Sequence, residues 1–534
     1  MVARGRRARK NARAAPRHAA RARYARAVRV GIDFGTTRTV VAAAGDGRHP
    51  IASFEVDGEY RDWIPGVVAA RAGALSFGWD ALASPGADAV VRSLKREVAG
   101  LAPDDAVTSL PSRPSALALA TGFVEHLVDM IRSSSSLDVD DGEPIEAMIA
   151  VPANATSRQR WLTIEAFLRG GVEVLGVLNE PTAAGIEFAF RHLGTENRRS
   201  PKRYVVVYDL GGGTFDTSAI SLAGRRFELL ATEGLARLGG DDFDAAILEL
   251  AVAEHELDLS DSPLHAALLD QARAAKEAMT AQSKNVMVDL GAVLPDGAPV
   301  VLPAAAVLAA CEPLVARTME LVDRLFLRLP EHGIDPENSR ELGAVYVVGG
   351  GAAFPGVARA LRAKHGRKLQ LAPIPHAATA IGLAVAADPD AGVYVHEAVT
   401  RHFGVWREAE GGREKTFDPI FAKDAKADDG ELVVRRRYRP RHTVGHLRFL
   451  ECSEVDAEGG PAGDLTPWRE VFFPYDPTLR DRDGDLARAV APATALSTEE
   501  IIETYRYGER GDITVRIENV THGYARTYEL GRMG

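Results

Sequence analysis

The sequence has little cysteine: Cys311 and Cys452 are the two in 534 residues, and they lie far apart along the chain. Such a pair cannot staple a disulfide scaffold, which fits a reducing compartment and makes cytoplasm the expected location. No apolar run reaches the roughly 18 residues that a bilayer crossing needs, so no membrane partner is expected. The phosphate-binding pattern GxxxxGK[ST] is missing, as is a GxGxxG fingerprint followed by a ribose-binding acid. Acidic residues are absent from positions 1 to 29, which hold eleven Lys or Arg. Removing those eleven leaves 53 basic against 74 acidic residues, about −21 for the remaining chain. An acidic body argues against nucleic acid as the main ligand, because phosphate-backbone binding is driven by clustered Lys and Arg. Only the tail, 1–28, fits that role, and it is expected to be disordered. It also reads as a membrane arm or a transit peptide, while a solvated segment without function, or untranslated sequence preceding a start near Val28 or Val30, is the favoured reading.

What is present is ordinary globular material: 46% hydrophobic, 26% charged and 7% aromatic residues. At about 100 to 200 residues per domain the length predicts roughly three to five compact units. Residues 29–42 read as two buried strands hinged at a small polar turn, Gly35-Thr36-Thr37. The design recurs at 204–222, where an apolar strand leads through Asp209, Gly211-Gly212-Gly213 and Thr214 into another apolar run. A repeat with this spacing predicts two lobes of similar architecture facing one another. Between and after these segments, strands at 147–151, 175–178 and 344–348 alternate with helices at 158–168, 182–192, 262–281, 303–329, 355–364 and 375–387. The fourth helix is expected to break near Pro313. Alternating strands and helices make 29–387 an α/β unit. After a turn-rich stretch at 388–392 the pattern changes to short alternating strands, with a meander expected over 502–530, and an all-β sandwich is expected for 399–534.

Three glycine turns, each after an apolar strand, call for a chemical reason. Glycine lets backbone N–H groups approach an anion, and successive N–H groups form a phosphate-binding nest. Thr36, Thr37 and Thr214 add hydroxyl donors, and Gly349-Gly350 forms the third turn. Asp33 and Asp209, at strand ends just before their turns, suit Mg²⁺ held through water beside phosphate. The constellation fits a metal-bound triphosphate clamped between two lobes.

The segments GIDFGTTRTVVA (31–42), VPANATSRQR (151–160), LNEPTAAGIEFAF (178–190), VVVYDLGGGTFDTSAI (205–220), LGGDDFD (238–244) and VVGGGAAFP (347–355) resemble, in the same order, the heat shock protein 70 family. The resemblance implies an actin-like ATPase of two ribonuclease-H-like lobes with ATP and Mg²⁺ in the cleft. By position it implies Asp33 and Asp209 around Mg²⁺. It implies Gly35, Thr36 and Thr37 on phosphate, faced by Gly211, Gly212, Gly213 and Thr214. Lys95, in SLKREVAG, resembles the lysine near the γ-phosphate and attacking water. Glu180, in NEPTAA, resembles the carboxylate of the catalytic centre, and Asp216 follows the second phosphate turn. The set of Lys95, Glu180, Asp209 and Thr214 is intact, which favours ATP turnover.

On the adenine side this sequence departs from the family. Glu277 and Ala353 stand where the family has two arginines that sandwich the base. Lys276 and Thr280 keep polar partners for the ribose, while Arg273 replaces an acid. Two lost cation–π contacts at about 0.5 to 2 kcal/mol each predict weaker or less base-selective binding. His376 replaces an acid of the family's second hinge helix, which bears on interlobe coupling. The linker position, 388–398, lacks the family's leucine-rich acidic character. Residues 399–534 resemble the peptide-gripping β-sandwich, most clearly in FDPIFAK (417–423), and no helical lid is expected after it. His442 and His446, four apart in an extended segment, share a face and are not read as metal ligands.

The expected function is an ATP-hydrolysing chaperone that binds extended or unfolded polypeptide. By resemblance, a J-domain cochaperone and a nucleotide exchange factor are its expected helpers. A nucleotide-switched scaffold with one dedicated partner is the alternative. A sugar or acetate kinase is disfavoured, because such an enzyme has no need of 399–534 and Lys95 suits water activation.

Overall fold

The computed structural model describes residues 27–530 apart from 46, 85, 141, 194–200, 223–225, 236, 254–261, 295–296, 397–398, 400, 410–413, 424, 426–430, 457, 483–485 and 509–512. Most of the basic tail, two linker positions and part of the 508–511 turn therefore lie outside the described residues. Among the described residues, no helix is long and apolar enough to cross a membrane.

The first sheet is built from β1 (Val28–Phe34), β2 (Arg38–Ala43), β3 (Ile64–Pro65), β4 (Ile145–Val151) and β5 (Val172–Asn179), in the order β5-β4-β1-β2-β3. β1 and β2 form an antiparallel hairpin, and β4 and β5 run parallel to β1. The short helix α1 (Leu94–Val98) carries Lys95, while α2 (Ala116–Ser133) and α3 (Ser157–Arg169) lie in the same half. Thr156 and Gln159 start α3 with a reciprocal capping box, each side chain bonding the other's backbone N–H. Helix α4 (Glu180–His192) follows β5 directly, beginning two residues before the expected start because Pro181 fits the first turn.

The second sheet repeats the plan. It comprises β6 (Tyr204–Leu210), β7 (Phe215–Ser221), β8 (Arg226–Leu235), β9 (Leu342–Val348), β10 (Leu369–Leu371) and β11 (Tyr394–His396), ordered β10-β9-β6-β7-β8-β11. Here too an antiparallel hairpin, β6–β7, sits beside parallel strands, β9 and β10. Asp33 and Asp209 are both the last residue but one of the strand that enters the hairpin. β6 is apolar at nearly every position because both its faces are covered. Its helices are α5 (Gly240–Val252), α6 (Ser262–Glu277), α7 (Ala304–Arg328), α8 (Pro355–His365) and α9 (Ala378–Ala387).

Contrary to expectation, α7 runs unbroken through Pro313. An internal proline costs about 3 kcal/mol. Val307, Cys311, Val315, Leu321, Val322 and Leu325 are buried in the core of this half, at roughly 1.5 to 3 kcal/mol for each large side chain, which outweighs that penalty.

Two helices join the halves. α9 packs on β1, β2 and β4, and α4 packs on β6, β7 and β8, with α4 and α9 crossing each other. A Cβ on Gly382 of α9 would collide with the Ala183 carbonyl oxygen of α4, so glycine is what permits this approach. The expected linker contributes β11, which extends the second sheet by parallel pairing with β8.

Beyond it, β12 (His402–Ala409), β13 (Glu414–Phe421), β14 (Leu432–Tyr438), β15 (Val444–Val455), β16 (Pro461–Pro474), β17 (Ile501–Tyr507), β18 (Ile513–Asn519) and β19 (Tyr524–Glu529) form two four-stranded sheets. Their orders are β13-β12-β15-β16 and β14-β17-β18-β19, the latter ending in the expected meander. Phe403, Phe421, Phe449, Phe473, Ile501, Tyr505 and Val515 share one core. The Arg158 guanidinium of α3 donates to the Pro467 carbonyl of β16 at 2.8 Å, tying the sandwich to the first half. His446 stacks on Phe472 and contacts Glu470, and among the described residues no group of His, Cys, Asp and Glu is placed to hold a metal directly.

Candidate functional site

The β1–β2 and β6–β7 turns meet across a cavity of about 350 Å³. Asp33, Gly35, Thr36 and Thr37 line it from one half, and Asp209, Gly211, Gly212 and Thr214 from the other. The approach is close: a Cβ on Gly212 would overlap the Thr37 side chain, so a residue with any side chain would push the hairpins apart. Gly213 sits against Thr36 rather than in the lining. The second turn is closed by Gly211 N–H donating to the Thr214 carbonyl at 3.0 Å. The start of α5 is fixed to the same turn, with Gly240 and Asp241 N–H donating to the Gly211 and Gly212 carbonyls at 2.9 and 2.7 Å. Gly349 and Gly350 bring the third turn to the cavity wall.

Carboxylates crowd the floor. Lys95 Nζ lies 2.6 Å from Glu180 Oε1, with both side chains largely buried. Burial, then the neighbouring Glu180 and Asp209, push the Asp33 carboxyl well above its ordinary value, with Lys95 opposing. Burial, Glu180 and Asp216 do the same to Asp209. Asp216 is pushed up to about 8 by burial and by Glu180, again against Lys95. Among the described residues its Oδ1 is buried without a hydrogen-bond partner. Asp216 pairs across the hairpin with Asp209 and, with Lys95, Thr36 and Thr214, lines a smaller adjoining cavity of about 100 Å³. Buried carboxyls lacking enough cations suit an incoming cation, since uncompensated charge in a dry site is costly. A hard ion such as Mg²⁺ takes oxygen ligands and keeps several waters, so carboxyls at this spacing need not all touch it.

The remaining expected residues divide. Lys276 lines the cavity but is engaged by Asp244 Oδ1 and the Gly240 carbonyl, both at 2.7 Å. Thr280 is exposed, outside the lining residues, and contacts Ser283. Ala353 is exposed in the turn after β9, also outside the lining. Glu277 lines the cavity and accepts from Arg38 at 2.8 Å. Arg273 bonds Asp241 at 2.8 Å and Asp244 at 3.2 Å. His376 lies 3.0 Å from Asp62 of the first half.

Several lining residues carry no sequence signal that marks them as parts of the site. Arg38 and Trp63 stand opposite Glu277, and Arg92 bridges to Asp270 at 2.7 Å. Asp241, also in the lining, accepts from Ser93 just behind it at 3.2 Å. Arg38 is legible only as the residue after Thr37, and nothing in the sequence ties it to Trp63.

The family described as Hsp70 protein matches residues 127–400. The chain is 33% identical over 388 residues to "Chaperone protein HscA homolog" of Variovorax paradoxus, covering 69% of this chain and 59% of that protein. It is 34% identical over 388 residues to the protein of the same name from Pseudomonas putida, with the same two coverages. Against "Chaperone protein HscA" of Serratia proteamaculans identity is 32% over 413 residues, 73% of this chain and 63% of the relative. The matched region thus spans about three-fifths of these relatives. With half of its length matched by the family and its two hairpins meeting at one cavity, this chain belongs to the Hsp70 family.

Proposed function

We propose that the protein is an ATP-driven chaperone ATPase, built as an actin-like pair of ribonuclease-H-like lobes over 29–387. A linker at 388–398 joins them to a polypeptide-binding β-sandwich over 399–534. The observation that carries this reading is the meeting of Thr37 and Gly212 at one cavity whose floor holds Asp33, Glu180, Asp209 and Lys95.

In this reading the N–H groups and hydroxyls of Gly35, Thr36, Thr37, Gly212 and Thr214 receive the triphosphate, while Gly211 and Gly213 shape the second turn. Asp33 and Asp209 hold Mg²⁺ through its water shell. When bound, Mg²⁺ neutralises charge developing on the phosphate oxygens. Glu180 fixes the Lys95 ammonium, and Lys95 positions the attacking water and draws charge from the γ-phosphate. Catalysis of this kind is positioning and electrostatic stabilisation, so loss of one such group costs about 10²-fold or more. Because β11 joins the second sheet by backbone pairing, a change in how the halves meet is felt at the linker. A nucleotide drives such a change only by binding one arrangement more tightly than another. Extended polypeptide is the expected client, with a J-domain cochaperone and an exchange factor as partners.

The test is ATP turnover together with peptide binding in each nucleotide state. Wild type should release phosphate without an acceptor, and Lys95→Ala should lower the rate about 10²-fold. Equal turnover in both proteins, or transfer of phosphate to a small molecule, would overturn the proposal.

A further inference from the structure

The cavity has two ends of different chemistry. The hairpin end carries the glycine turns and the buried acids. The other is lined by Arg38, Trp63, Glu277, Pro375, His376 and Thr379, a mixture of charged, polar and apolar side chains. Arg38 opens β2 but reaches across the cleft to Glu277 of α6 at 2.8 Å. Its guanidinium lies over the Trp63 ring, 4.6 Å from the centroid. Trp63 is itself held, with the Trp79 ring 4.6 Å away and Trp79 Nε1 donating to the Trp63 carbonyl at 3.2 Å. Arg61 lies over the outer side of this pair, 5.4 Å from the Trp79 centroid. The result is a run of cations and tilted indoles, Arg61, Trp79, Trp63 and Arg38, that leads to the cavity and restrains its last member.

Such a guanidinium is more than a charge. A guanidinium clamped on one face by an indole and along one edge by a carboxylate offers its other face to a second flat ring, by stacking and cation–π attraction. The third glycine turn leaves room beside it: a Cβ on Gly350 would stand 3.8 Å from Arg38 Nη1. Resting on the nucleotide reading above, we propose that Arg38, held by Trp63 and Glu277, is the base-contacting residue of the cleft, the one that favours a nucleotide over a bare triphosphate. It takes the purine ring on the face turned away from Trp63. The base is thus contacted from the half opposite α6, so an occupied cleft draws the two halves together.

The test compares three ligands, each with Mg²⁺: ATP, GTP and inorganic tripolyphosphate, which has no base. Calorimetric affinities would be measured for wild type, Arg38→Ala and Arg38→Lys, the last keeping the charge but losing the plane. Both variants should bind ATP about 5- to 30-fold more weakly, and GTP by a similar factor, while tripolyphosphate changes less than about twofold. Trp63→Phe should remove the tryptophan emission change that ATP produces in wild type. Equal losses for tripolyphosphate would make Arg38 a phosphate ligand and overturn the proposal. Unchanged or tighter ATP binding with faster nucleotide exchange would make the Arg38–Glu277 pair a simple latch and would overturn it as well. Failure of wild type to bind ATP or tripolyphosphate would instead remove the nucleotide reading itself, and this inference with it.

Discussion

Glu503 of the sandwich and Asp216 of the cleft are both buried carboxyls, 0% and 4% exposed, and their surroundings are opposite. Glu503 receives Arg407 at 2.7 Å, Tyr438 at 2.5 Å and Tyr505 at 2.7 Å. Arg407 also bonds Asp418, which Arg436 meets from the other side. Burial opposes ionisation there, yet the two arginines hold Asp418 below its ordinary value, and Glu503 holds Arg407 above its own. In the cleft, three carboxyls are raised and Lys95 is the cation that acts on all of them. A network with its partners in place specifies a packed core, whereas one short of positive charge is a site awaiting a ligand.

That contrast can be broken from either side. The largest effect is expected in the sandwich. Arg407→Leu strands Glu503 without its cation and should cost about 3 to 5 kcal/mol, seen as early unfolding of the β-domain. Asp209→Ala in the cleft should instead leave the fold standing while turnover drops about 10²-fold, a loss read by phosphate release. Next, Asp216→Asn should raise the melting temperature of the nucleotide-free protein by about 2 °C or more while lowering turnover. It removes an acid that the fold would rather keep neutral.

The smallest effect is a pH slope. A carboxyl raised to about 8 in the folded chain, against about 3.9 unfolded, contributes its full stabilisation below the lower value and loses it as pH rises through the upper. Nucleotide-free protein should therefore lose stability between pH 5 and 8, by at most about 1.4 kcal/mol per pH unit for such a carboxyl. Added Mg²⁺ with nucleotide should flatten the slope, and a urea midpoint series would measure both.

Local signals carry much of this architecture. Apolar strands ending in Asp-x-Gly turns and the 502–530 meander are each written within a few residues, and each forms in the structure. The helix through Pro313 does not follow from its neighbours, because what holds it is burial against segments far along the chain. The hairpin halves of the site are legible for the same reason as the strands. Its other end is not: Arg38 meets Glu277 across 239 positions of sequence, and the Trp63–Trp79 contact arises from how the chain folds back between a bend and the short helix Gly78–Leu82. Thr280 is expected at the site from its place in the sequence, yet it is exposed beside Ser283 and outside the cavity lining.

The most direct test of the central claim, that opposing hairpins and their under-neutralised acids jointly receive a magnesium-bound triphosphate, is calorimetric titration of ATP with and without Mg²⁺. Wild type and Asp209→Asn would be compared side by side. Wild type should bind at least about tenfold more tightly with Mg²⁺ present, and Asp209→Asn should lose most of that difference. Equal Mg²⁺ dependence in the two proteins would contradict the account.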